Sequence, residues 1–190
     1  MKILCLYNND CALELFKEIE KLGHETVLCS ERLTTEYIVS GEFDLALSYT
    51  YRYILTEELI DALKGKVVNI HNSFLPFNRG ADPNLWSLRD NTPRGVTLHY
   101  IDAGLDKGFI IAQRLVTEGD GDTLKTAYDN LDKNARELFL QAFKYYEYWP
   151  QMAKKPEGKG NYHAVKDAVA MKEMIPSYDM KIEDFRRLFE

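Results

Sequence analysis

Between Val68 and Gly108 the chain places an asparagine, a histidine and an aspartate in a frame suited to moving a one-carbon acyl group. The stretch reads VNIHNSFLPFNRGADPNLW and then GVTLHYIDAGLDKG. Side chains two apart in a strand share a face, so Asn69 and His71 are expected to project together from the end of the apolar run Val67, Val68, Ile70. Transfer of an acyl group to an amine passes through a tetrahedral carbon bearing an oxyanion, and the amine must shed a proton. Hydrogen-bond donors and a proton acceptor are therefore needed in one place. An Asn amide donates without titrating, a His donates or accepts near neutral pH, and an Asp can hold an imidazolium or relay the amine proton.

Taken singly, each residue has an ordinary explanation: Asn69 as a strand-end turn residue, His71 as a satisfied half-buried histidine, Asp106 as a turn residue ahead of Gly108. Their company is what matters. H-x-S-x-L-P (His71 to Pro76), R-G-A-D-P (Arg79 to Pro83) and G-V-T-x-H-x-x-D-x-G-L-D-x-G (Gly95 to Gly108) follow one another in order. With these motifs the chain resembles the folate-dependent formyltransferases, the group that includes methionyl-tRNA, glycinamide ribonucleotide and sugar N-formyltransferases. The resemblance is strongest over Phe43 to Val116. It implies that Asn69 polarises the formyl oxygen, that His71 assists and accepts the amine proton, and that Asp106 orients His71. It also implies 10-formyltetrahydrofolate as formyl donor, with Tyr53, Ile54 and Leu55 on one side of the folate pocket and Ile101 and Asp102 on the other. Phe74, Asn84 and Trp86 flank R-G-A-D-P and are candidates for an acceptor platform; Trp86 could equally anchor a short helix to the core.

The acceptor is narrowed by what surrounds these motifs. The first turn, Tyr7-Asn8-Asn9-Asp10-Cys11, lacks the glycines of a phosphate-holding nest, which disfavours glycinamide ribonucleotide. A net charge of −6 and a pI near 5.3 disfavour a polyanionic RNA partner. Asn161 to Asp167, NYHAVKD, is similar to the T-Y-H-x-x-K-D segment of sugar N-formyltransferases, with Asn161 where Thr is common. The resemblance thus implies the amine of a nucleotide-linked amino sugar as acceptor. Another amine, such as methionyl-tRNA, is the first alternative, hydrolysis of the formyl donor the second, and a non-catalytic binding module the third.

Positioning these residues requires a parallel-sheet frame. Ile3–Tyr7, Glu25–Cys29, Phe43–Tyr49 and the run ending at His71 read as strands; Ala12–Leu22 and Thr56–Leu63 read as helices, with Gly23 as a stop and Thr56 as an N-cap. Gly95–Ile101 and Phe109–Val116 read as strands joined by DAGLDKG, and Thr123–Tyr148 as a long amphipathic helix ended by Pro150. The expectation is an α/β protein: a Rossmann-like, open, mostly parallel twisted sheet with helices on both faces. A catalytic domain over residues 1–150 would be followed by an extension over 151–190, with a linker at Lys154–Gly160 and a possible role in a homodimer. Cys5, Cys11 and Cys29 suit reduced, buried thiols. His24 and His99 lack the partners of a metal site, and His99 is expected to lie packed or half exposed in its strand. No apolar run approaches the roughly 20 residues that span a bilayer, and no signal-peptide pattern opens the chain, so a cytoplasmic location is expected.

Overall fold

The computed structural model describes residues 1–190. The chain opens with β1 (Lys2–Leu6), α1 (Cys11–Lys21), β2 (Glu25–Cys29), α2 (Thr35–Gly41), β3 (Leu45–Tyr49), α3 (Glu57–Ala62) and β4 (Val67–His71). In α1 the apolar positions Ala12, Leu15, Phe16 and Ile19 recur at helical spacing and are the ones buried. Gly23 follows its C-cap at φ +88, a backbone state that favours glycine. α2 has no such stripe: Ile38 is its one buried residue, and its start is held by the Thr34 hydroxyl accepting from the Tyr37 N–H. It therefore escapes a search for periodicity. Thr56 stands at the N-cap of α3 as expected, but its side chain makes no capping bond.

With β6 (Gly95–Tyr100) and β7 (Ile110–Leu115) the main sheet runs β2-β1-β3-β4-β6-β7. β1–β2, β1–β3 and β3–β4 pair in parallel, while β4–β6 and β6–β7 pair antiparallel. Alternation along the strands sorts side chains onto two faces. Ile3, Cys5, Leu45, Leu47, Val68, Ile70, Val96 and Leu98 form one core with α1 and with α5 (Leu124–Phe143). Leu4, Leu6, Ala46 and Val67 form a second against Ile38, Leu55 and Leu63. Crossing from β3 to β6, this second face turns polar: the strand positions in line with Val67 carry Asn69, His71, Thr97 and His99. No residue of these four belongs to the apolar core on that face, and the groups that hydrogen-bond to them come from loops and neighbouring strands rather than helices.

α5 ends at Phe143, earlier than its pattern suggests. The chain then folds back through a 3₁₀ turn at Tyr146–Tyr148 into α6 (Trp149–Met152), because Trp149 buries fully against Phe139 and Phe143 and its indole N–H donates to the Ala142 carbonyl at 2.9 Å. Pro150 consequently lies in the first turn of α6 rather than ending α5, a position that needs no N–H. Lys154, expected in a free linker, pairs antiparallel with Ile110 through two backbone hydrogen bonds of 2.9 and 2.7 Å. A third apolar cluster joins α4 (Pro83–Asp90) and the first turn of α5 to α7 (Val165–Glu173) and α8 (Ile182–Arg187), through Leu85, Trp86, Leu88, Leu124, Met171 and Phe185 among others. Finally, β5 (Arg79–Gly80) and β8 (Tyr162–His163) form a separate parallel pair that ties the extension to the loop after β4.

Candidate active site

Asn69 and His71 project from the same face of β4, and the antiparallel register places His99 of β6 directly beside Asn69. The loop after β6 leaves opposite Val67, where the Ile101 N–H donates to the Val67 carbonyl at 3.0 Å, and turns back along the sheet. Asp106 sits in that loop at φ +51, a left-handed conformation that Asp tolerates better than most residues. Gly108 allows the return, since a side chain there would collide with the Tyr100 carbonyl.

The result is one carboxylate between two imidazoles. Asp106 Oδ2 lies 3.7 Å from His71 Nε2, and its Oδ1 lies 3.8 Å from His99 Nε2. The Gly80 N–H donates to Oδ2 at 2.8 Å. His71 Nε2 also lies 3.2 Å from the Asn78 carbonyl, which can only accept, so Nε2 carries the hydrogen. His99 has the opposite arrangement. Its Nδ1 donates to the Tyr100 carbonyl at 2.8 Å, leaving the Nε2 lone pair to accept from the Asn69 amide at 3.3 Å. Burial pushes the His99 pKa down to about 4, outweighing the attraction of Asp106, so at neutral pH the ring is uncharged. One Asn69 amide hydrogen is thereby fixed on His99, and the other remains available to a ligand. His71 is the imidazole whose Nε2–H faces Asp106.

The sequence reading did not assign this part to His99, nor any part to Asn78 and Gly80. A signal for His99 was present, since it shares strand parity with Thr97 and lies in the same motif as Asp106. Its meeting with Asn69 depends on the β4–β6 register, which no local pattern specifies.

The residues expected around folate are divided between the second core and the surface. Leu55 is buried in the second core and Ile101 packs against the same cluster, whereas Ile54 is 75% exposed and Asp102 caps its own loop by accepting the Gly104 N–H at 2.9 Å. Tyr53 is half-buried, with the guanidinium groups of Arg32 and Arg52 near 5 Å from its ring. The three acceptor candidates do not form a common platform. Asn84 is 1% exposed and accepts from Arg94 Nε at 2.8 Å inside the protein. Trp86 is 5% exposed: His163 stacks on it at 3.9 Å and 5°, and the Arg89 guanidinium lies 4.2 Å from the ring centre, which leaves no face for a nucleobase. Phe74 is half-buried beside Gly95.

Residues 16–143 match the family described as formyl transferase. The chain belongs to that family. It is 38% identical over 125 residues to the dTDP-4-amino-4,6-dideoxyglucose formyltransferase of Mycobacterium bovis, covering 66% of this chain and 53% of that protein. It is 36% identical over 106 residues to the methionyl-tRNA formyltransferase of Listeria monocytogenes, covering 55% of this chain and 34% of the other. The matched segment therefore spans about half the length of the first relative and a third of the second. Among solved structures, the formyltransferase PseJ from Anoxybacillus kamchatkensis, in complex with UDP-4,6-dideoxy-4-formamido-L-AltNAc and tetrahydrofolate, is 35% identical, with a TM-score of 0.82 and 97% of each chain covered.

Proposed function

We propose that the protein moves a formyl group from 10-formyltetrahydrofolate to the amine of a nucleotide-linked amino sugar. The observation that carries this reading is the match to PseJ over 97% of both chains, which takes in the extension as well as the family segment and relates the chain to a formyltransferase holding a formamido sugar nucleotide and tetrahydrofolate. The acidic net charge of −6 agrees with a small acceptor better than with RNA.

On this reading the free Asn69 amide hydrogen donates to the formyl oxygen as negative charge builds there, while the Nδ1 lone pair of His71, left open because Nε2 carries the hydrogen, serves the attacking amine. Both are held by neighbours before any ligand arrives, so little reorganisation is needed. His71 takes the proton lost by the attacking amine, and Asp106 stabilises the imidazolium that results. Bound 10-formyltetrahydrofolate would supply the formyl carbon and be released as tetrahydrofolate. Exposed Ile54 offers apolar surface to a flat heterocycle, next to Leu55, which with Ile101 belongs to the second core. The test is incubation with 10-formyltetrahydrofolate and a panel of nucleotide-linked amino sugars, followed by product mass. Gain of one formyl group on a particular sugar is expected; folate turnover without any acceptor would make the protein a hydrolase instead.

A further inference from the structure

The short segment Asn78–Ala81 has two edges, one turned to the catalytic residues and one to the extension. On the first, the Asn78 carbonyl meets His71 Nε2 and the Gly80 N–H donates to Asp106. On the second, the remaining N–H groups all go to the extension. Asn78 N–H donates to Asn161 Oδ1 at 2.6 Å, Arg79 N–H to the Asn161 carbonyl at 3.2 Å, and Ala81 N–H to the His163 carbonyl at 3.1 Å. The Asn78 side chain is held from the same quarter: its Oδ1 accepts from Asn161 Nδ2 at 3.0 Å and lies 3.1 Å from His163 Nε2, while its Nδ2 donates to Thr92. Asn78 is fully buried, and every polar group it has is engaged.

Asn78, Gly80 and Asp82 are all in the left-handed region, at φ +53, +93 and +51. Such a run persists only where its surroundings hold it. Gly80 admits no side chain, because a Cβ would strike the His163 carbonyl and the Tyr162 ring; Gly160 is pressed equally closely onto the Pro76 carbonyl. His163 is in turn anchored by its stack on Trp86. None of residues 160–163 falls within the family match at 16–143.

We propose that Asn161 and His163 are positioning residues for catalysis: Asn161, just ahead of β8, and His163, within it, clamp Asn78–Gly80, and through it fix His71 and Asp106 in their working orientation. The proposal rests on the formyltransferase reading for what His71 does, but not for where His71 is held. Its test compares Asn161→Leu, which keeps the size and removes the acceptor for the Asn78 N–H, with Asn161→Asp, which keeps that acceptor but exchanges the side-chain donor for a carboxylate oxygen. Turnover in Asn161→Leu is expected to fall about 10-fold or more, as displacement of a catalytic group by a fraction of an ångström does. Affinity for tetrahydrofolate should stay unchanged, and Asn161→Asp should retain more of the turnover. Side-chain nitrogen NMR of His71 without substrate supplies a readout independent of the acceptor. Its Nε2–H signal, set by the Asn78 carbonyl and Asp106 beside it, should shift in both variants, and further in Asn161→Leu. An unchanged His71 signal in either folded variant would overturn the clamp, whatever the activity. Should Asn161→Leu fail to fold, Asn161→Asp alone decides.

Discussion

At the scale of single residues, the site divides two histidines by environment. Both lie against Asp106, but His99 is held neutral by burial and by donating Nδ1–H to a carbonyl, whereas His71 keeps its N–H toward Asp106 and Asn78. Exchange of His71 for Ala, or of Asp106 for Asn, is expected to lower turnover by at least ~10²-fold at similar folate affinity, since general acid–base catalysis contributes that much. Steady-state kinetics with the acceptor found by mass would check it, and full activity in either variant would sink the assigned roles. His99 also carries a pH signature. Its pKa falls from the ordinary 6.5 to about 4 on folding, so the unfolded chain takes up a proton near pH 6.5 that the folded protein refuses until about pH 4. Stability from this group is full above pH 6.5 and drains away as pH falls through that window. Urea midpoints at pH 7 and pH 5 should differ more in the wild type than in His99→Gln.

At the scale of elements, the sheet works by changing what lies on one of its faces. Apolar residues under α2 and α3 give way, one strand over, to Asn69, His71, Thr97 and His99 under loops. Thr97 shows how those loops are held: its hydroxyl donates to the Ser73 carbonyl at 2.7 Å and accepts from the Leu75 N–H at 3.1 Å and from Gln113 at 3.0 Å. Replacing Thr97 by Val is expected to cost about 1–3 kcal/mol through the buried groups it strands, measured by urea unfolding. α5 begins at a capping box in which Thr123 and Thr126 bond reciprocally, at 3.2 and 2.9 Å. Thr123→Ala should therefore cost about 1 kcal/mol in the same measurement. A smaller loss would mean that the backbone bonds from Leu124 to Met180 and from Lys125 to Tyr178 hold the helix start by themselves.

At the scale of the whole molecule, α5 belongs to two cores at once, with Leu131, Leu138 and Phe139 in the principal one and Leu124 and Ala127 in the cluster that seats α7 and α8. The two tryptophans report one core each, Trp149 the principal core and Trp86 the cluster that seats α7 and α8. Denaturant transitions followed through Trp86 in a Trp149→Phe background, and through Trp149 in a Trp86→Phe background, should each be single and cooperative. A distinct early loss of Trp86 signal would show that the extension melts alone. Much of this was legible beforehand, because periodicity and chemistry are local: α1, β4, the shared face of Asn69 and His71, and the ordered motifs through Asp106 all follow from spacing along the chain. Other features depended on which distant segments meet. The partnership of Asn69 with His99 is a consequence of antiparallel register between β4 and β6, and the enclosure of Trp86 follows from His163, far along the chain, stacking on its ring. The kinds of groups that can do the chemistry are thus written in the order of residues. Which nitrogen holds a proton, which aromatic face is already covered and which backbone holds the catalytic pair were decided only by tertiary packing, because hydrogen bonds and burial act through space on groups that the sequence keeps apart.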